Sequence, residues 1–263
     1  MSGIETILGR ERVITALGVA AVFALSWFYL WTGGGIGMSA LEMTAVALFP
    51  HRLADGGGGM DPSLLTVVLM WWTMMIAMMT PSAAPLILLY RRVLRYHGAA
   101  EAKSAIPSML LLAGYLTAWL VFSICAALLQ KMLQPTGLIS GMMLWSKSAP
   151  LSAIVLAAAG GYQFSPLKHA CLMQCRSPGN FLTAHWRPGV AGSFLLGMRH
   201  GLYCVGCCWL LMTLLFVGGI MNLLWIAALS LVVFVEKILP GGEHVGRVLG
   251  VVLIAWAGAT MLV

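Results

Sequence analysis

Long apolar runs without charge constrain this chain more than any other feature. The run from Ser63 to Tyr90 contains no charged residue at all. A helix needs about 20 mostly apolar residues to cross the hydrocarbon core of a bilayer, so this run is long enough to span a membrane. Pro81 and Pro85 lie inside it, and we expect them to kink the helix because proline lacks the amide hydrogen.

Seven mostly apolar runs follow one another along the sequence. Hydrophobic residues make up 60% of the 263 residues and charged residues only 9%, whereas a soluble domain carries about 25% charged residues. The pattern predicts an all-α, polytopic transmembrane helix bundle of about seven spanning helices, forming a single integral membrane domain over residues 1–263. The runs are Val13–Trp31, Ser63–Tyr90, Ile106–Leu129, Pro150–Phe164, Gly192–Gly218, Met221–Leu239 and Val248–Val263.

The basic residues between these runs predict the orientation. Cytoplasmic loops carry an excess of lysine and arginine. With the N-terminus in the cytoplasm, 12 of the 15 basic residues lie inside and only Arg52, Lys131 and Lys147 lie outside. The sequence therefore predicts a cytoplasmic N-terminus. The positive charge lies in these short tracts, which favours membrane orientation and argues against nucleic acid as a partner.

The most distinctive motif is a histidine and three cysteines in the fifth run. At about 100° per residue, His200, Cys204, Cys207 and Cys208 fall within about 100° on one helix face. Imidazole and thiolate are ligands that soft and borderline metals prefer. Cysteine also occurs as a small apolar residue in helices, but several thiols beside an imidazole favour a metal site. We expect this face to point into the bundle and not toward lipid, because an imidazole facing lipid would have no partner.

A second pair of thiols follows the fourth run. Cys171 and Cys175 are four residues apart, so one helical turn aligns them. Lys168 and Arg176 are expected to favour the thiolate form. His169 is a further candidate ligand, although a helix would direct it elsewhere. An ordinary basic loop with inert cysteines is the alternative. Since the fourth run ends and the fifth begins at the same membrane face, we expect one shared metal site near the cytoplasmic side.

Methionines form rows along the second run. Met74 and Met78 belong to one row with Met70, and Met75 and Met79 to the next. Thioether sulfur is a ligand for Cu(I). Methionine is also a common packing residue in a core, and that alternative is strong here. The rows favour copper over zinc if they bind metal.

Two groups of residues that include a glutamate support only weaker predictions. Glu236 and Lys237 end the sixth run next to Pro240. An ionisable residue in a membrane helix is a functional candidate, but this position favours side chains that reach the aqueous interface. Glu42, with Met38 and Met43 nearby, is a weak candidate for an outer metal site.

Other functions are less compatible with the sequence. Phosphate-binding loops and the common hydrolase and zinc-protease motifs are absent. A membrane thiol–disulfide oxidoreductase remains an alternative, using Cys204 with Cys207 and Cys171 with Cys175. A haem protein with His169 and His200 as axial ligands and a purely structural membrane subunit are further alternatives. Whether the protein is an enzyme stays open.

Three segments together resemble a known bacterial family. They are residues 70–82 (MWWTMMIAMMTPS), 166–178 (PLKHACLMQCRSP) and 201–212 (GLYCVGCCWLLM). The chain resembles a domain-of-unknown-function family described as predicted metal-binding integral membrane proteins. The resemblance places these residues on motif positions: Met74, Met78, Cys171, Cys175, His200, Cys204, Cys207 and Cys208. It also implies a multi-pass protein of the bacterial inner membrane.

The sequence thus predicts a membrane protein that binds copper, with zinc as second choice. Its expected partners are the lipid bilayer, the metal ion and further membrane or soluble subunits. We expect a role in metal handling or as the membrane subunit of a metalloprotein complex.

Overall fold

The described part of the chain is helical, as the sequence predicts. A computed structural model describes residues 3–32, 62–96, 101–139 and 146–262. Within these residues, the only β-type pairing is a single bridge between Ile139 and Ser146. The helices are α1 (Gly3–Trp31), α2 (Leu64–Tyr96), α3 (Glu101–Leu133), α4 (Ala149–Tyr162), α5 (Pro166–Arg176), α6 (Pro178–His185), α7 (Gly189–Thr213), α8 (Leu215–Gly218), α9 (Leu223–Ile238) and α10 (Gly242–Leu262).

Each of the seven apolar runs contains a helix, but the helices differ in length. Four helical stretches in the described residues are long and apolar enough to cross a membrane: Leu64–Tyr96, Ile106–Thr136, Gly189–Gly218 and Gly242–Leu262. Shorter apolar helices cover Leu17–Trp31 and Ala149–Tyr162. Four candidate spans are thus present, and seven spans remain a prediction.

Helix α2 is one of the two longest helices on which the candidate site depends, the other being α3. Ser63 caps its start, since the Ser63 hydroxyl accepts a hydrogen bond from the Thr66 amide at 3.2 Å. Pro81 and Pro85 lie inside the helix, which continues past both to Tyr96. Trp71 in its first half is fully buried and donates a hydrogen bond to Gln130 of α3 at 2.7 Å. These contacts fix α2 against α3.

Glycines allow two pairs of helices to cross closely. A Cβ atom on Gly114 of α3 would lie 2.8 Å from the backbone nitrogen of Met198, and one on Gly197 of α7 would collide with the Leu111 carbonyl oxygen. A Cβ atom on Gly250 of α10 would lie 2.9 Å from the Gly160 carbonyl oxygen in α4. Small residues of this kind let helix backbones pack against each other in membranes.

The segment between α4 and α7 forms two short helices where the sequence predicts a loop. Ser165 caps α5 by accepting a hydrogen bond from the Leu167 amide at 3.2 Å. Helix α6 inserts Phe181, which is fully buried, into the bundle. Arg176 at the end of α5 donates a hydrogen bond to the Leu239 carbonyl at 2.8 Å. Helix α5 therefore meets the end of α9, at one end of the bundle.

The weakly predicted outer site lies outside the described residues. Met38, Glu42 and Met43 all belong to the segment between α1 and α2 that the structure does not describe. That site stays a prediction.

Candidate metal centre

The histidine and cysteine face of α7 points into the bundle. His200 is 3% exposed, and Cys204, Cys207 and Cys208 are each 1% exposed. The helical spacing of the sequence explains this, because residues four apart lie on one face. The prediction that this face points inward, and not toward lipid, is confirmed.

The Cys204 thiol lies where three other helices meet α7. The Lys237 ammonium of α9 donates a hydrogen bond to the Cys204 sulfur at 2.8 Å. The Tyr115 hydroxyl of α3 lies 3.0 Å from the same sulfur. Lys237 also donates to the Ser82 hydroxyl of α2 at 3.3 Å. A thiol in contact with a buried ammonium is a reactive, polar site within an apolar core.

Helix α5 brings the second pair of thiols to the same place. Cys175 contacts Cys204 and Cys207, and these contacts, together with burial, raise the pKa of the Cys175 thiol well above its ordinary value. Burial and the neighbouring Cys207 raise the pKa of Cys171. A Cβ atom on Gly206 of α7 would lie only 2.8 Å from the Cys171 sulfur. The two cysteine-containing segments therefore converge.

Among the described residues, the thiols contact one another but form no complete ligand cage. All six cysteines are unpaired by disulfides, and Cys125 lies exposed on α3. The Cys207 and Cys208 thiols donate to the carbonyl oxygen of Cys204 at 3.1 and 3.0 Å. In the described parts of the chain, no group of three or more His, Cys, Asp or Glu side chains is arranged to hold a metal ion.

His200 lies one helical turn before Cys204 with an unused ring nitrogen. Its ring centroid is 5.8 Å from that of Tyr115 and 5.1 Å from that of Phe181. Its Nδ1 atom is buried and, among the described residues, has no hydrogen-bond partner. Buried polar atoms are nearly always paired, so this nitrogen is available to a ligand.

The predicted methionines lie in the core beside this region. Met74 and Met78 are at most 1% exposed. Met78 lies one helical turn before Ser82, the residue that contacts Lys237. The Met78 carbonyl accepts a hydrogen bond from Ser230 of α9 at 3.3 Å. The methionine row thus leads along α2 toward the ammonium of Lys237.

The interfacial position favoured for Glu236 and Lys237 is wrong. The two residues are 2% and 6% exposed. Lys168, counted among the cytoplasmic basic residues, is also buried, and its ammonium forms an ion pair with Glu236 at 2.6 Å. Lys168 donates a second hydrogen bond to Gln163. Each charge has a buried partner, which is why neither side chain needs to reach water. In the sequence, the two adjacent opposite charges at the end of an apolar run were the feature that could have indicated these buried interactions.

Two contact residues were not singled out in the sequence. Tyr115 lies outside the three motif segments, and Ser82 is the last residue of the first of them. Nothing in their spacing distinguishes them from residues that serve packing alone. Only the tertiary fold brings them to Cys204 and Lys237.

His169 lies apart from the thiols. It is 56% exposed, and its Nδ1 atom lies 3.4 Å from a carboxylate oxygen of Glu243. It lines a cavity of about 300 Å³ between α5, α9 and α10, whose lining includes Lys168 and Arg247 but no cysteine. His169 and His200 therefore occupy different surroundings, which the haem interpretation does not explain.

Comparison with known proteins connects this chain with copper. Residues 68–260 match the model of the PpoB2 family, described as copper chaperone. The matched residues run from α2 to α10 and include every cysteine and histidine of the candidate centre. Neither the curated proteins nor the solved structures contain a match.

Proposed function

The chain belongs to the PpoB2 family of copper chaperones, and from that premise we propose that it binds Cu(I) at the converging thiols of α5 and α7. Cys175 of α5 and Cys204 of α7 supply the central pair of ligands. Thiolate is a soft ligand that selects Cu(I). The observation that carries the proposal is the contact of Cys175 with Cys204 and Cys207 beside a buried ammonium.

The described geometry suits Cu(I) better than zinc. Structural zinc sites are almost always four-coordinate, and the described side chains form no group of three or more suited to a metal ion. Cu(I) accepts low coordination numbers, so a pair of thiolates from different helices is enough. The other predicted cysteine and histidine ligands lie on the same two helices: Cys171 on α5, and His200, Cys207 and Cys208 on α7. Metal binding to these thiols would release their protons.

The methionines of α2 extend this proposal. Met74 and Met78 lie on the helix whose Ser82 contacts Lys237. Thioethers bind Cu(I) and few other biological metals. We assign them the role of a soft-ligand route from the thiol centre deeper into the bundle.

The membrane setting is part of the same proposal. Four helices of sufficient length and apolarity support a membrane protein. We assign seven spans, a cytoplasmic N-terminus and the bacterial inner membrane, because 12 of the 15 basic residues, the buried Lys168 and Lys237 among them, then lie toward the cytoplasmic side. The thiol centre would lie near that face, where copper enters from a reducing compartment. Copper handling alone, or service as the membrane subunit of a metalloprotein complex, fits this location.

The thiol–disulfide oxidoreductase alternative is not favoured. All six thiols are free, and membership of the copper chaperone family favours metal binding. A reducing compartment also keeps such thiols reduced.

Paired cysteine substitutions test whether one copper site is shared. We expect the double variant Cys204→Ser/Cys208→Ser and the double variant Cys171→Ser/Cys175→Ser each to lose most of the copper bound by the wild-type protein, because either change removes thiolates from one helix. Bound copper is measured on purified protein after Cu(I) loading under reducing conditions.

Cys125→Ser is the matched control, since Cys125 is exposed on α3 away from the cluster, and it should bind copper like the wild type. Unchanged copper in both double variants would refute the proposed site. Loss in only one double variant would show that the two segments bind metal separately.

Thiol labelling tests the orientation. In a Cys125→Ser background, a membrane-impermeant thiol reagent added to intact cells is expected to leave Cys171 and Cys175 unlabelled, because α5 lies on the cytoplasmic side. The same reagent should label Cys171, which is partly exposed, in inverted membrane vesicles. Strong labelling from outside intact cells would reverse the orientation.

A further inference from the structure

Lys237 carries a buried positive charge for which the described structure offers one clear counterpart. Its side chain is buried, and its ammonium contacts the Cys204 sulfur at 2.8 Å and the Ser82 hydroxyl at 3.3 Å. The carboxylate nearest in sequence, Glu236, forms its ion pair with Lys168. Among the described residues, the thiol cluster is therefore the anionic partner that Lys237 has available.

We propose that Lys237 is a specificity-determining residue that makes the thiol centre prefer a monovalent metal ion to a divalent one. The inference rests on the proposed copper function and deepens it. In a low-dielectric core, a site is most stable when its charges sum to zero. A pair of thiolates, one ammonium and one Cu(I) ion do so. The same pair with Zn(II) keeps an excess positive charge.

The position of the ammonium makes this effect a fixed property of the site. Lys237 is the penultimate residue of α9, and the chain directly after it is tied to α5, because Arg176 donates to the Leu239 carbonyl at 2.8 Å. Ser82 holds the ammonium from the α2 side. With its backbone and its head group both held, Lys237 cannot move to water to relieve repulsion with a divalent ion.

A zinc ion could restore neutrality only by recruiting a further thiolate. The nearest further thiols, Cys207 and Cys208, already donate to the Cys204 carbonyl at 3.1 and 3.0 Å, so recruitment of either one would break that hydrogen bond. Charge and geometry therefore act in the same direction, and removal of the charge should weaken the discrimination.

The test is a metal competition on the purified full-length protein. Wild type, Lys237→Met and Lys237→Arg are each offered equimolar Cu(I) and Zn(II) under anaerobic, reducing conditions, and the ratio of bound metals is measured. We expect the bound copper-to-zinc ratio to fall by about tenfold or more in Lys237→Met, because unit charges a few ångströms apart repel strongly inside a protein. Lys237→Arg keeps the charge and should keep most of the preference.

A second variant cancels the positive charge at the site without replacing Lys237. Ser82→Asp places a carboxylate against the ammonium and cancels its charge, so the ratio should fall as in Lys237→Met. Ser82→Asn is the matched control, since asparagine has nearly the shape of aspartate without its charge, and its ratio should fall less than that of Ser82→Asp. This pair keeps the test decisive if Lys237→Met fails to fold.

The outcomes separate the two proposals. A wild-type protein that binds neither metal would overturn the proposed function itself. A wild type that binds copper, together with unchanged ratios in Lys237→Met and Ser82→Asp, would overturn the role of Lys237 and leave the copper site standing. A fall in Ser82→Asn equal to that in Ser82→Asp would also overturn it, since the effect would then not depend on charge.

Discussion

Lys168→Met is expected to lower the free energy of unfolding by about 3–5 kcal/mol, because it leaves the Glu236 carboxylate buried without its partner. Both side chains are at most 3% exposed, and the ammonium and carboxylate lie 2.6 Å apart. Removing one partner of a buried ion pair destabilises the fold, since the remaining charge has neither its counter-ion nor water around it. Denaturant unfolding in detergent measures the loss.

Two comparisons assign this loss to the unpaired charge. The double variant Lys168→Met/Glu236→Leu removes both charges and should recover most of the stability, since apolar replacements of buried ion pairs are often neutral. His169→Ala should have a small effect, because its pair with Glu243 is exposed. A Lys168→Met protein as stable as the wild type would contradict the buried pair.

The helices were predictable because the apolar runs are long and unambiguous. The start of α2 at Leu64 differs by one residue from the predicted start at Ser63. Helices α5 and α6 were not predicted as separate elements, since they have only 11 and 8 residues. Their stability comes from contacts such as the burial of Phe181, which a local pattern does not reveal.

The inward face of α7 was predictable for a different reason. His200, Cys204 and Cys208 are spaced four residues apart, and an α-helix aligns such residues whatever the surrounding fold. The metal assignment of that face followed from ligand chemistry alone. Membership of the copper chaperone family supports the metal, while the individual ligands remain predictions.

The charged partners of the site could not be predicted from local sequence. Lys237 lies 33 residues from Cys204, Glu236 lies 68 residues from Lys168, and Tyr115 lies 89 residues from Cys204 along the chain. The position of Lys237 and Glu236 next to Pro240 predicted that their side chains reach the aqueous interface. That prediction considers only neighbours in sequence. The long-range pairs that override it arise when α3, α5, α7 and α9 pack together.

That packing depends on the close crossing of α3 and α7. Gly197 of α7 faces the backbone of Leu111, and Gly114 of α3 faces that of Phe194 and Met198. A Cβ atom at Gly197 would meet a carbonyl group that belongs to rigid helical backbone, so the helices would have to separate. Tyr115, next to Gly114, contacts the Cys204 sulfur across the same crossing at 3.0 Å.

Gly197→Leu is therefore expected to lower the melting temperature markedly, by several degrees or more for a loss of about 1–3 kcal/mol from overpacking, and to reduce bound copper. The copper loss follows because separation of α3 from α7 moves Cys204 relative to Cys175 on α5. Gly258→Leu in α10 is the matched control, since a Cβ atom there meets nothing within 4 Å, and it should keep both properties. If Gly197→Leu instead matched Gly258→Leu in melting temperature and copper content, α3 and α7 would not cross at this distance, and the thiol centre would not depend on their contact.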